Sequence, residues 1–118
     1  MTYYGAPPDV CSRVSELLGL AIEDMGEDWE IILADVSLIS PAIHILEART
    51  EPWMVRAAIG CILVGSLFES RLDEGASHFM HDAAYTALRM EPEVLNAVTN
   101  FWIGGGTRSS YIRDLLLG

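Results

Sequence analysis

The chain has 118 residues, 51% of them apolar, and carries 17 Asp and Glu against seven Arg and no Lys, for a net charge of −10. That length suits one domain with one core, and that hydrophobicity excludes a disordered chain. The shortage of cations excludes nucleic-acid binding through phosphate contacts and docking on an anionic membrane, both of which need clustered Lys and Arg. A basic protein partner suits the charge, because a field of this sign speeds encounter with a positive surface. Acidity that only keeps an apolar chain in solution suits it equally.

The N-terminal Met1-Thr2-Tyr3-Tyr4 has neither the basic region nor the apolar run of a signal peptide. Cys11 and Cys61 are the two cysteines, too few for a disulfide framework or a zinc site. Reduced, buried thiols in a cytoplasmic protein are the expectation.

The prolines punctuate helix starts. Pro is tolerated in a first turn, where its missing N–H has no helical partner. Pro8, Pro41, Pro52 and Pro92 can all be placed this way, each beside Asp, Ser or Glu, and those acids suit the positive end of a helix dipole.

The first helix is expected from about Asp9 to Met25. Val10, Val14, Leu17, Leu18, Ala21, Ile22 and Met25 recur at steps of three and four, which marks one buried face. Gly26 would end it. From Asp28 the same spacing runs through Trp29, Ile32, Leu33, Val36, Ile39, Ile43 and Leu46. It predicts one helix kinked at Pro41, or two short ones, ending near Arg49.

The central helix is expected over about 51–73, with Thr50 as its N-cap and Gly75 beyond its end. After Arg56, the run Ala57 to Phe68 has no charge at all. A helix apolar all round is buried or spans a membrane, and this run is well short of the ~20 residues a bilayer needs. Gly60, Cys61, Gly65 and Ser66 are small enough to let neighbouring helices approach closely.

A fourth helix is predicted from Ser77 to Met90, with Phe79, Met80, Ala83, Ala84, Ala87 and Leu88 on its apolar face. Pro92 opens a fifth, with Val94, Leu95, Val98, Phe101 and Trp102 inward. Gly104-Gly105-Gly106 breaks the pattern as a hinge. A last helix, Ser109 to Leu117 within residues 107–118, presents Tyr111, Ile112, Leu115 and Leu116. The fold class is therefore an all-α bundle of five or six helices in one domain.

Three surfaces stand out as candidate partner-binding residues. The first is the acidic stretch Glu23, Asp24, Glu27, Asp28 and Glu30, with no arginine between Arg13 and Arg49. Five like charges repel one another and add little to fold stability. That suits a binding surface with Trp29 as an aromatic anchor, or a solvated loop with Trp29 in the core. The second is Glu69, Asp73 and Glu74 at the end of the central helix. The third is the stripe His78, Asp82, Tyr85 and Arg89, at steps of four, three and four along the fourth helix.

No catalytic or metal site is expected. His78 and His81, with Asp82, could hold a metal, but this spacing is far more often a solvated helix face. His44 and Glu47 read as a surface pair. Gly104-Gly105-Gly106-Thr107-Arg108 before a helix superficially resembles a phosphate loop, without the lysine of a P-loop. No positioned base for a Ser or Cys nucleophile can be singled out.

From Trp29 to Arg89 the order of features resembles a family of helical bacterial immunity proteins that neutralise NAD(P)+-degrading toxins delivered by type VI secretion. The likeness lies in Trp29-Glu30-Ile31-Ile32-Leu33, then Ala58-Ile59-Gly60-Cys61-Ile62 and Leu67-Phe68-Glu69, and most closely in His81-Asp82-Ala83-Ala84-Tyr85 followed by Arg89. About half the chain is covered. The chain departs from the family after Met90, where the glycine stretch and last helix follow.

The resemblance implies a cytoplasmic inhibitor with no cofactor and no chemistry of its own, bound to a cognate toxin domain. Two alternatives differ in class. One is a homodimer or larger self-associating module that exchanges its last helix. The other is a small metal-dependent enzyme using His78, His81 and nearby carboxylates.

Overall fold

The structure, a computed structural model, describes residues 8–19, 36–70 and 78–117. Helix α1 spans Pro8–Leu18. A 3-10 turn, Val36–Leu38, leads into α2, Ile39–Ala48. Helices α3, α4, α5 and α6 span Trp53–Ser70, His78–Arg89, Pro92–Trp102 and Ser110–Leu117. The fold is all-α, with no strand among the described residues.

Helix α3 is the core. From Ala57 to Val64 every side chain it carries is fully shielded from solvent. The 3-10 turn and the five other helices of the described residues pack against it. Removing Ile59, Ile62, Leu63 and Leu67 from water contributes about 1.5–3 kcal/mol for each side chain. Ser66 is buried among them. No helix among the described residues is long and apolar enough to cross a membrane.

The smaller helices bury one stripe each. In α1 these are Val10 and Val14, with Leu17 and Leu18 half-buried. In α2 they are Ile39, Ala42 and Leu46; in α4, Ala84, Ala87 and Leu88. In α5 Val94, Ala97 and Val98 are buried, whereas Leu95, Phe101 and Trp102, expected inward, sit half-buried against the core. Trp102 donates its indole N–H to the Cys61 carbonyl of α3 at 3.3 Å.

Several boundaries differ from those expected. The first helix ends at Leu18 and does not run unbroken to Met25, because Gly19 turns the chain at φ +66°; residues 20–35 lie outside the described residues. Thr50 does not cap α3. The helix begins at Trp53, and its first intrahelical bond runs from the Arg56 N–H to the Pro52 carbonyl at 3.1 Å. Pro52 thus holds the N-cap position, where its missing N–H is again harmless.

Pro41 lies in the first turn of α2, two residues after its start, and Pro92 opens α5, as the proline reading requires. Helix α2 ends on Arg49 at φ 55°, a left-handed conformation that costs a non-glycine residue about 1–2 kcal/mol. It lets the chain reverse into α3 within a few residues.

The break at Gly104–Gly106 takes the form of a Schellman turn. Thr107 N–H donates to Trp102 O at 3.1 Å and Gly106 N–H to Ile103 O at 3.0 Å, the 6→1 and 5→2 pair of that motif. Gly106 supplies the positive φ, +88°. The last helix then packs Ile112, Leu115 and Leu116 onto α3 and α5 of its own chain.

Helices α3 and α5 cross closely at Gly60. A Cβ there would lie 2.6 Å from Val98 Cγ2 and 3.4 Å from Leu88 Cδ2. Val98 is β-branched and stiff at χ1 within a helix, so it cannot swing aside. Overpacking of this kind costs about 1–3 kcal/mol, against ~1 kcal/mol gained when Ala replaces Gly in a helix. Gly60→Ala is expected to destabilise the fold by about 1 kcal/mol net. In urea titrations, the cost of Gly60→Ala should vanish in a Val98→Ala background, because the clash is gone.

Candidate functional site

Charge is unevenly shared along the chain. Residues 20–35 and 71–77 hold eight of the 17 carboxylates but one arginine, Arg71. The described residues hold the other nine carboxylates and six arginines. Of the candidate surfaces, Glu23, Asp24, Glu27, Asp28, Trp29, Glu30, Asp73 and Glu74 lie outside the described residues. Glu69 and His78 are placed by their backbone at the end of α3 and the start of α4.

Four arginines are held by acceptors of the chain itself, all from helix ends or the turns beside them. Arg13 of α1 meets Glu51 in a fork: Nε to Oε1 at 2.6 Å and Nη2 to Oε2 at 2.9 Å. Its Nη1 also reaches Glu16 Oε2 at 3.0 Å. Arg56 donates Nε to the Glu51 carbonyl at 2.9 Å and Nη1 to the Glu91 carboxylate. Arg49 approaches the same Glu91 oxygen at 3.7 Å. The N-terminal end of α3 is thus tied to α1 and to the start of α5 by charge-assisted bonds, and Arg49 at the end of α2 joins through the ion pair with the shared Glu91. Arg suits this use because its planar fork stays charged and can serve two acceptors at once.

The α4 stripe is split by the fold. Asp82 and Thr86 are exposed, and Tyr85 is half-buried. The Arg89 guanidinium lies 3.4 Å from the centre of the Tyr85 ring. Its Nη2 donates to the Leu115 carbonyl at 2.8 Å and the Leu116 carbonyl at 3.3 Å. Arg89 therefore turns from the stripe to the last turn of α6, while Asp82 stays on the surface. Periodicity places Arg89 on the polar face correctly, but it carries no signal for a partner that follows 26 residues later.

His44 and Glu47 are both exposed on α2. No group of three His, Cys, Asp or Glu comes together among the described residues. The phosphate-loop likeness after α5 is taken up internally. Ser109 Oγ accepts the Ile112 N–H at 3.2 Å, an N-cap on α6, and Thr107 Oγ1 accepts the Ser109 N–H at 3.3 Å. Comparison with protein-family models, curated proteins and solved structures finds no match.

The Arg13 fork makes stability depend on pH. The hydrogen bonds from Arg13 hold the Glu51 carboxyl below its ordinary value of 4.5, and the charge of Arg13 adds to the effect. A carboxylate with a lowered folded pKa stabilises the fold above its unfolded pKa. That contribution is lost as pH falls through the folded one. The pair is partly open to solvent, with the Arg13 side chain 45% exposed, so the effect is modest. Thermal melts between pH 7 and pH 3 should show a drop below about pH 4.5 that is shallower in Arg13→Ala and in Glu51→Gln.

Proposed function

We propose that this chain is a non-catalytic immunity protein that binds a cognate secreted toxin domain in the cytoplasm and blocks its substrate pocket. The observation that carries this reading is where the charge lies. Arg13, Arg49, Arg56 and Arg89 serve acceptors within the fold. The stretch Glu23 to Asp35 has six carboxylates and no arginine. An acidic stretch of this kind would complement the basic pocket of an enzyme that acts on a phosphate-bearing nucleotide, such as an NAD(P)+ glycohydrolase.

The folded helical body suits the same reading, because contacts carried on an already folded part of the chain, as Asp82 and Tyr85 are on α4, lose little freedom on binding. Trp29 would be the anchor, ringed by Glu23, Asp24, Glu27, Asp28 and Glu30. Glu69, Asp73, Glu74, His78, Asp82 and Tyr85 would extend the contact. The resemblance between Trp29 and Arg89 is to proteins of this activity.

The test is affinity capture from the native bacterial lysate at low and high salt, followed by assay of the captured protein. The expected partner is one secreted toxin domain whose activity falls to background at equimolar inhibitor. Replacing Glu23, Glu27, Asp28 and Glu30 together by Lys should weaken binding at least ~100-fold, mainly through slower association at low salt. A partner that stays active in the complex would refute inhibition. Full affinity in the charge-reversed variant would refute the acidic surface.

A further inference from the structure

Helix α6 is fastened differently from its neighbours. It has eight residues, short of the ~12–15 at which an isolated helix begins to hold in water, so it depends on its seat. Its apolar contact is the stripe Ile112, Leu115 and Leu116, with half-buried Tyr111 beside Phe68 of α3, ring centres 6.5 Å apart, laid on α3 and α5. The stripe stops there, since Leu117 is 60% exposed.

The polar fastening is at the far end. The last carbonyls of any helix have no intrahelical partner, and a cation beside them meets the negative end of the helix dipole. Arg89 supplies both needs, through its bonds to the Leu115 and Leu116 carbonyls. The arginine is itself held in place: Tyr85 carries the guanidinium on its ring, and Nη1 reaches the Tyr85 carbonyl at 3.5 Å. One α4 pair, Tyr85 and Arg89, thus grips the C-terminal end of α6, while the Schellman turn at Gly106 holds the other.

We infer that α6 is a strap latched by Arg89, and that it lifts as a unit while the rest of the bundle stays folded. Opening breaks the Arg89 bonds, exposes the apolar stripe and parts Tyr111 from Phe68. It leaves the contacts of α3 with α1, α2 and α4 in place. The closed occupant of the seat on α3 and α5 is this chain's own α6. Tyr85 ties the strap to the outward stripe of α4, whatever that stripe binds.

Native-state hydrogen exchange on the full chain tests this. Amides of Arg113 to Leu117 should exchange through an opening at least about tenfold more populated than the one that exposes Ile59 to Val64. Arg89→Ala should speed exchange in α6 by about tenfold or more, with α3 unchanged. Arg89→Lys keeps the charge but loses the fork, and should fall between. Tyr85→Ala, which removes the stacking surface and the packing of that ring on the core, should give a smaller acceleration that is greater in α6 than in α3. Protection of the α3 amides in each variant shows that it has folded. Equal opening of α6 and α3 in the wild-type chain would overturn the inference, as would acceleration of both alike in Tyr85→Ala or Arg89→Ala.

Discussion

A helix with no polar face must be covered on every side, and the rest of this molecule follows from that demand. Helix α3 needs neighbours all round, and the described residues supply only short ones. Short helices hold poorly by themselves, so each is stabilised by the stripe it lays on α3. The absence of a Cβ at Gly60 brings α5 close enough for Val98 to fill the crossing. A larger residue there would push out one wall of the core.

Coverage by short helices leaves many helix ends, and each end carries unpaired backbone groups and a partial charge. At the end of α6 an arginine meets those groups, and at the starts of α3 and α5 the carboxylates of Glu51 and Glu91 suit the positive ends and are paired with arginines. Arg56 joins the Glu51 carbonyl to the Glu91 carboxylate, Arg13 grips Glu51 from α1, and Arg89 receives the last turn of α6. Lysine could not serve as well, since a point charge on a flexible stem cannot span two acceptors in fixed geometry. A chain with this few cations thus commits most of those in its described part to architecture.

The all-α class and the burial of α3 were legible because both rest on spacing. Apolar residues at three–four steps mark a stripe, and an uninterrupted apolar run marks full burial. The starts of α2 and α5 were legible through Pro41 and Pro92. The start of α3 was not. Thr50 is the better cap by residue type, but the tight reversal through Arg49 in the left-handed region leaves Pro52 at that position. The premature end of α1 at Gly19 was hidden because its apolar spacing continues past the glycine. Of the candidate site, periodicity grouped Asp82, Tyr85 and Arg89 on one face. It could not foresee that Arg89 serves α6, because the deciding contact is long-range and made to backbone carbonyls, which look alike in any sequence.

The depth of α3 gives one of its atoms a role in time. The Cys61 thiol is wholly shielded, and the carbonyl of the same residue receives the Trp102 indole. A thiol reagent reaches that sulfur only when a covering helix has left α3. Modification of Cys61 is therefore a clock that advances with each excursion from the native state, and an adduct formed in one such excursion would bar the return, turning a transient fluctuation into permanent loss of fold.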